Sequence, residues 1–149
     1  MNYYDLQVVL QEVPGEITLC FSITGCRLKC EGCHSSFLWK NNNGTPLTDE
    51  IYMSLLKKYK GLASCVLFMG GEWHPEKLAY FLQIANDQHF KTCLYTGEEN
   101  VPDTILKNLT WIKTGRWVSK LGGLGSESTN QRFIEIKTNR ELNHLFKQN

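Results

Sequence analysis

The chain lacks an excess of either charge, because 16 Lys and Arg residues are matched by 15 Asp and Glu residues, and the formal net charge is +1. Proteins that bind nucleic acid carry a clear excess of basic residues, so this balance argues against a nucleic-acid partner. With 42% hydrophobic and 21% charged residues, the composition is that of a globular chain and not of a disordered one. The length of 149 residues suits one domain of ordinary size, so we expect a single domain over residues 1–149.

Long apolar runs and an N-terminal export signal are also missing. No basic residue precedes Arg27, whereas a secretory signal needs a positive segment ahead of an apolar one. The longest apolar stretches, such as Cys65 to Met69, are far shorter than the roughly 18 residues of a membrane helix. We therefore expect a cytoplasmic protein with no membrane partner. In that compartment cysteines serve as metal ligands, catalytic groups or buried thiols more often than as disulfides.

The hydrophobic pattern predicts strands that alternate with helices. The predicted strands cover residues 6–13, 17–23, 65–69, 92–95, 111–113 and 133–136, and the predicted helices cover residues 49–60, 75–85 and 102–109. Strands that alternate with helices require right-handed crossovers, so the pattern predicts an α/β fold with a mainly parallel sheet. Because a complete barrel of this kind needs about 250 residues, any barrel formed here must be incomplete.

Four of the predicted strands end in turns that contain glycine. The glycines of these turns are Gly25, Gly70, Gly71, Gly97 and Gly115. Ligands of parallel sheets bind beyond the carboxyl ends of the strands. The layout therefore indicates a ligand site along this edge, although ordinary strand-to-helix turns favour glycine equally well.

Three cysteines follow the first strong strand within eight residues, namely Cys26, Cys30 and Cys33, and His34 comes directly after them. The spacing C-x₃-C-x₂-C lets three sulfurs of one loop converge on one centre. Four kinds of site use such residues: a structural zinc site, a c-type haem attachment, a thioredoxin-like dithiol and an iron–sulfur cluster. A second pair of zinc ligands and an export signal are missing, and a dithiol would leave Cys26 unused. A cluster held by three thiolates would leave one iron open to another ligand.

Two motifs together resemble the radical S-adenosylmethionine (SAM) superfamily. The three-cysteine loop is similar to its signature, and Met69-Gly70-Gly71-Glu72 is similar to its GGE motif. Nearly the whole chain resembles one branch, the activating proteins of anaerobic ribonucleoside-triphosphate reductase. The shared motifs are Pro14-Gly15, Cys30-x-Gly32-Cys33-His34, Tyr95-Thr96-Gly97, Lys113-Thr114-Gly115 and Ser128-Thr129-Asn130-Gln131-Arg132. The chain differs from many superfamily members at Gly32, where an aromatic residue is common, and at Trp73-His74, where Pro-Leu is common.

The resemblance implies a truncated TIM-like barrel of radical SAM type and an oxidoreductase that uses a 4Fe–4S cluster and SAM. Cys26, Cys30 and Cys33 would hold three irons, and SAM would chelate the fourth. A low-potential donor such as reduced flavodoxin would supply an electron that cleaves SAM to a 5′-deoxyadenosyl radical. This radical would take a hydrogen atom from a glycine of the reductase and leave a glycyl radical there.

The same resemblance gives candidate contacts to SAM and no catalytic residue beyond the cluster and SAM. These candidates are Gly32, Cys33, His34, Gly70, Gly71, Glu72, Thr96 and Thr114. The hydroxyls of Thr96 and Thr114 are equally expected as caps of turns. Two alternatives remain: another small radical SAM enzyme that acts on a free metabolite, and a zinc-stabilised interaction module.

The remaining cysteines and basic residues suit structural roles. Cys20, Cys65 and Cys93 lie among apolar neighbours in predicted strands, which predicts buried, inert thiols. Lys113, Arg116 and Lys120 are expected on a solvated face that can also attract an acidic electron donor. Residues 121–129 lack the pattern of a phosphate-binding loop, and we expect a flexible loop or a partner contact there.

Overall fold

One eight-stranded sheet with helices on one face forms the body of the protein, and a computed structural model describes its residues 1–147. The strands are β1 Asn2–Val9, β2 Thr18–Ile23, β3 Thr45–Pro46, β4 Cys65–Met69, β5 Lys91–Tyr95, β6 Trp111–Thr114, β7 Arg132–Glu135 and β8 Arg140–Glu141. The helices are α1 Asp49–Tyr59, α2 Pro75–Asp87 and α3 Asp103–Leu106, and short 3₁₀ helices cover Ser36–Leu38, Asn41–Asn43 and Asn143–Phe146.

The strand order is β3-β1-β2-β4-β5-β6-β7-β8. The pairs β2–β4, β4–β5 and β5–β6 are parallel, whereas the outer pairs on both sides are antiparallel. The prediction of a mainly parallel sheet therefore holds for the four central strands only. One reason is that residues 10–17, which join β1 to β2, are too few for the crossover that parallel pairing requires.

The sheet is not closed in residues 1–147, because β3 and β8 are its two edges. The α/β class is confirmed, and the strand pairing is that of an open mixed sheet. Both edge strands are two residues long and exposed. Short edges of this kind offer few unpaired backbone groups to other chains.

The helices cover one face of the sheet and form the larger hydrophobic core with it. Tyr52 of α1 and Phe81 of α2 pack on Phe21 and Phe68 of the central strands, and all four side chains are fully buried. The Tyr52 hydroxyl donates a hydrogen bond to the Phe81 carbonyl at 2.8 Å, so burial leaves no unpaired hydroxyl there. Thr48 caps α1 by accepting a hydrogen bond from the Ile51 N–H at 3.2 Å.

The opposite face of the sheet carries a smaller core that contains the three strand cysteines. Cys20, Cys65 and Cys93 pack there with Leu124 and Phe133. Burial raises the pKa of the Cys20 and Cys65 thiols to about 12, and it raises the pKa of the Cys93 thiol as well. The prediction that these three thiols are buried is confirmed, and thiols with such pKa values are poor nucleophiles.

Each predicted strand and helix has a counterpart, and the bounds differ by no more than two residues except at β1 and α3. β1 runs over residues 2–9 and not over residues 6–13, because the chain turns after Val9 and the Glu16 N–H bonds to the Val13 carbonyl at 3.1 Å. α3 spans residues 103–106 within the predicted range of 102–109, and β7 begins one residue early. No helix in the described part of the chain is long and apolar enough to cross a membrane.

Candidate functional site

The carboxyl ends of the four parallel strands border a cavity of about 250 Å³, called the central cavity below. The strand ends contribute Ile23 from β2, Met69 from β4, Tyr95 from β5 and Lys113 from β6. The wall above them is the cysteine loop, defined here as residues 24–35. The carboxyl ends of the parallel strands, where the sequence predicts a ligand site, thus border a cavity.

The three cysteines of the cysteine loop all line the central cavity. Cys26, Cys30 and Cys33 are free thiols of intermediate exposure, unlike the three strand cysteines. Burial is the largest cause that raises the pKa of the Cys26 thiol. In residues 1–147 no three metal-ligating side chains are arranged as a site for a single metal ion.

Backbone hydrogen bonds fix the ends of the cysteine loop and leave its middle free of helix and strand. The N–H groups of Gly25 and Cys26 donate to the Leu38 carbonyl at 2.7 and 3.2 Å. The Cys33 N–H donates to the Cys30 carbonyl at 3.1 Å, and the Ser35 N–H donates to Cys33 Sγ at 3.4 Å. These bonds fix the backbone on both sides of the cysteines, and all three cysteines line the central cavity.

The turn after β4 brings a carboxylate into the same cavity. Gly70 and Gly71 have φ values of +81° and +107°, which side chains rarely adopt. A Cβ on Gly70 would lie 2.5 Å from the Trp73 ring, so that ring packs directly on the glycine. The turn places Gly70, Glu72 and Trp73 in the lining of the central cavity.

Glu72 has one paired and one unpaired carboxylate oxygen. Its Oε1 accepts a hydrogen bond from Thr96 Oγ1 at 2.7 Å, and Thr96 lines the cavity beside it. Its Oε2 is buried and has no partner among the described residues. Burial raises the pKa of the Glu72 carboxyl, an effect that the Thr96 hydrogen bond partly opposes. The unpaired Oε2 can therefore accept a hydrogen bond from a ligand or contact a cationic group of a ligand.

Three residues that line the central cavity each have a buried polar atom that lacks a partner within residues 1–147. These atoms are Glu72 Oε2, Trp73 Nε1 and Trp117 Nε1. Buried polar groups in native proteins are nearly always hydrogen-bonded. An acceptor, two N–H donors and three thiols around one space therefore fit a bound group with both sulfur-binding and polar parts.

Lys113 lies in the central cavity, and its expected place on a solvated face is wrong. Its Nζ donates hydrogen bonds to the carbonyls of Thr96 and Gly115 at 3.2 and 3.1 Å. Burial lowers its pKa to about 8, although nearby acidic groups, among them Cys30 and Glu72, oppose that shift. Arg116 and Lys120 are exposed as expected.

The remaining predicted SAM contacts lie outside the lining of the central cavity. His34 packs on Trp117 with a ring centroid distance of 5.0 Å, and Gly71 packs towards Ile23 and Leu78. Gly32 is next to the Trp117 indole. Thr114 lines another cavity, of about 320 Å³, together with Ile112 and Ile134.

The tryptophans are the site residues that the sequence does not reveal. Trp39, Trp73 and Trp117 line the central cavity, as do Tyr95 and Gln131. Their spacing along the chain follows no motif. The available signal is their position after strand ends, since Trp73 follows β4 and Trp117 follows β6.

Residues 121–129 are held in place by hydrogen bonds and by one buried side chain. Thr129 Oγ1 donates to the Gly122 carbonyl at 3.1 Å, and the Ser126 N–H donates to the Gly123 carbonyl at 2.9 Å. Leu124 packs into the smaller core with Phe133. This segment therefore covers the smaller core.

Gly97→Ala is expected to loosen the cysteine loop. An alanine Cβ would lie 2.3 Å from Leu28 Cδ1, so the Leu28 side chain would have to leave the end of β5. Because Leu28 Cδ1 is the end of a flexible, partly exposed side chain, the cost is expected at the lower end of overpacking penalties, about 1 kcal/mol. We expect a lower free energy of unfolding and faster alkylation of Cys26, Cys30 and Cys33, followed by denaturation and by mass spectrometry.

The matched control for this change is Gly123→Ala, whose Cβ would meet no atom closer than 3.8 Å. The double variant Gly97→Ala/Leu28→Ala should return the alkylation rate towards that of Leu28→Ala alone. Equal alkylation rates in Gly97→Ala and the wild type would show that the Leu28 contact does not hold the loop.

Comparison with known proteins gives one match. The model of a family described as 4Fe-4S single cluster domain matches residues 13–121, which is well over half of the 149 residues. The matched range contains the cysteine loop, the Gly70 to Glu72 turn, Lys113 and Trp117. No curated protein and no solved structure matches the chain significantly.

Proposed function

Because the chain belongs to the 4Fe-4S single cluster domain family, we propose that the central cavity holds its 4Fe–4S cluster on Cys26, Cys30 and Cys33. We propose further that the protein is a radical SAM enzyme that generates a glycyl radical on anaerobic ribonucleoside-triphosphate reductase. The family match indicates the 4Fe–4S cluster. The SAM chemistry and the reductase partner are proposed from the sequence motifs and from the residues around the three cysteines.

The observation that carries the proposal is the meeting of two distant segments in one cavity. The cysteine loop follows β2 and the Gly70 to Glu72 turn follows β4, and both line the central cavity. Three thiolates leave one iron of a four-iron cluster without a protein ligand. A metal with an open coordination position is arranged to bind a reactant and not merely to support a fold.

The residues around the thiols suit a ligand that carries charges of both signs. Glu72 Oε2 is an unpaired buried acceptor for a sulfonium or ammonium group. Lys113 has used two of its three N–H donors on the carbonyls of Thr96 and Gly115. Its third N–H remains for an anionic group such as a carboxylate or a thiolate. SAM has a sulfonium, an ammonium and a carboxylate.

When bound, the reduced cluster and SAM supply a one-electron cleavage of a carbon–sulfur bond that leads to hydrogen-atom abstraction. The chain's own residues bind, orient and shield these groups. Trp39, Trp73 and Trp117 line the space with large apolar rings. Where a bound group displaces water from this space, the charges of Lys113 and Glu72 act more strongly than in solvent.

A protein substrate suits the open form of the sheet. The substrate glycine belongs to another folded chain, so the reacting site has to be reached from outside. The sheet ends in two exposed two-residue strands and, within residues 1–147, it is not closed. For the electron donor we propose a low-potential carrier such as reduced flavodoxin, which the exposed cations Arg116 and Lys120 beside Trp117 would attract.

Anaerobic loading followed by a SAM cleavage assay tests the proposal. Protein reconstituted with iron and sulfide should bind about four irons per chain. With dithionite and SAM it should release 5′-deoxyadenosine, and with the anaerobic reductase added it should produce a glycyl doublet in the EPR spectrum. Loaded protein that cleaves no SAM would overturn the proposal.

Two other outcomes identify the alternatives. SAM cleavage without any glycyl radical on the reductase would indicate a small radical SAM enzyme that acts on a free metabolite. One zinc per chain and no iron in anaerobically purified protein would indicate a zinc-stabilised interaction module.

A further inference from the structure

The indole N–H of Trp117 is a buried donor without an acceptor beside the proposed cluster ligands. Trp117 lines the central cavity together with Cys30 and Cys33. Its Nε1 has no hydrogen-bond partner in the described chain. The inference drawn from it rests on the proposed cluster and not on the proposed reaction with SAM.

The N–H group lies next to the backbone between two of the cysteines. A Cβ on Gly32 would be 3.5 Å from Trp117 Nε1, and Gly32 lies between Cys30 and Cys33 in the chain. The φ of Gly32 is +72°, so glycine is favoured by the backbone and also leaves room for the indole. The indole nitrogen is thus beside the part of the loop that carries two of the sulfurs.

Neighbouring groups hold the ring in this position. The His34 ring packs on the indole at a centroid distance of 5.0 Å and an angle of 48°. A Cβ on Gly123 would lie 3.8 Å from Trp117 Cζ3. Asn130 Nδ2 donates a hydrogen bond at 3.1 Å to the carbonyl of Arg116, the residue before Trp117. These contacts confine the ring, and its buried N–H still lacks an acceptor among the described residues.

We propose that Trp117 Nε1–H donates a hydrogen bond to a sulfur of the bound cluster and raises the reduction potential of the cluster. The acceptor is a cysteine thiolate or a sulfide of the cluster, both of which become more basic when an electron is added. A donor therefore stabilises the reduced form more than the oxidised form. Trp117 is a positioning and tuning residue in this role and takes no part in bond cleavage.

Trp117→Phe removes the N–H and keeps an aromatic ring in the cavity. The matched control is Trp111→Phe, since Trp111 lies on β6 outside the central cavity and packs on Phe133. Both variants and the wild type are loaded anaerobically without SAM, and the midpoint potential is measured by redox titration of the reduced-cluster EPR signal. We expect the equilibrium constant for one-electron reduction of the cluster to fall tenfold in Trp117→Phe. This change corresponds to a midpoint potential that is more negative by about 59 mV. Trp111→Phe should match the wild type.

A Trp117→Phe variant with full iron content and the potential of the wild type would overturn this inference and leave the proposed function standing. The converse result, a shifted potential in a protein that cleaves no SAM, would support the inference and overturn the proposed radical SAM activity. A wild-type chain that binds no iron would overturn both.

A second measurement covers a Trp117→Phe variant that does not load. A chain that carries Trp39→Phe and Trp73→Phe is labelled with ¹⁵N in its remaining indoles, so that Trp117 is its only labelled indole in the cavity lining, and pulse EPR of its reduced cluster should show a weak ¹⁵N coupling. The absence of that coupling would overturn the inference without any need for the Trp117 variant.

Discussion

Replacing Cys30 by alanine is expected to abolish both iron binding and SAM cleavage. Cys30 lies between the other two cysteines of the cysteine loop and lines the central cavity with them. Two thiolates cannot hold three irons of a four-iron cluster, and no other cysteine of residues 1–147 lines this cavity. We expect iron to fall from about four per chain to background, together with the 5′-deoxyadenosine released in the presence of dithionite.

Cys65→Ala is the matched control, because it removes a thiol from the same chain without changing the cysteine loop. Cys65 is fully buried in the smaller core below the sheet. Its replacement should lower the free energy of unfolding by roughly 0.5–3 kcal/mol and leave the iron content unchanged. Full iron content in Cys30→Ala, or equal loss of iron in Cys65→Ala, would contradict the assignment of the cluster ligands.

The central strands were predictable because both of their faces are buried. β4 reads Cys65 to Met69 without a polar residue, and four of its five residues are buried, which is the signature of a central parallel strand. β3 and β8 have no such signal, since each has two exposed residues and none of them is strongly apolar. Edge strands of this length depend on their neighbours and not on their own sequence.

Periodicity located the helix α1 and its apolar face but not the centre of that face. Ile51, Leu55 and Tyr59 recur at intervals of four, which predicts them on the apolar face with Tyr52 and Leu56 at its flank. The structure buries Tyr52 and Leu56 fully, packs Leu55 and Tyr59 against the larger core with partial exposure, and leaves Ile51 38% exposed. The cause is tertiary, because Tyr52 fills the space between Phe21, Phe68 and Phe81. The sequence pattern does not distinguish which of these neighbouring apolar residues lies at the centre of the buried face, because that depends on the shape of the core.

The parts of the site that are local in sequence were predictable, and the parts that depend on tertiary contacts were not. Cysteine spacing and the glycine pair after β4 are both short motifs. Lys113 was misplaced on a solvated face, although strand alternation carries the needed signal. Ile112 packs in the larger core, so Thr114 shares its face and Lys113 points to the opposite one. The unpaired indoles of Trp73 and Trp117 become visible only when the cavity is assembled.

Replacing Glu72 by glutamine is expected to weaken SAM binding without destabilising the unloaded chain. Glutamine keeps an oxygen that can accept the 2.7 Å hydrogen bond from Thr96, but it removes the negative charge. Loss of one partner from a buried charged pair costs about 2–5 kcal/mol, so the Kd for SAM should rise by roughly 30-fold or more. Anaerobic calorimetry on cluster-loaded protein measures this change.

In the unloaded chain, by contrast, Glu72→Gln should be as stable as the wild type or more stable. Burial raises the pKa of the Glu72 carboxyl in the folded chain, so the folded state holds its proton to higher pH than the unfolded state does. The free energy of unfolding of the wild type should therefore fall, relative to Glu72→Gln, as pH rises from the usual Glu pKa through the raised value. Glutamine carries no charge at any pH, so denaturation of the two unloaded chains at several pH values measures this difference directly.

The control for Glu72→Gln is Glu99→Gln, an exposed residue that lines the separate 320 Å³ cavity and should leave the affinity for SAM unchanged. The two readouts together separate a ligand-binding carboxylate from one that shapes its turn. A binding carboxylate predicts weaker SAM binding with an equal or greater stability of the unloaded chain. A Glu72→Gln variant that is less stable at neutral pH and binds SAM as the wild type does would show that the carboxylate supports the turn after β4, and that another group receives the positive charge of the ligand.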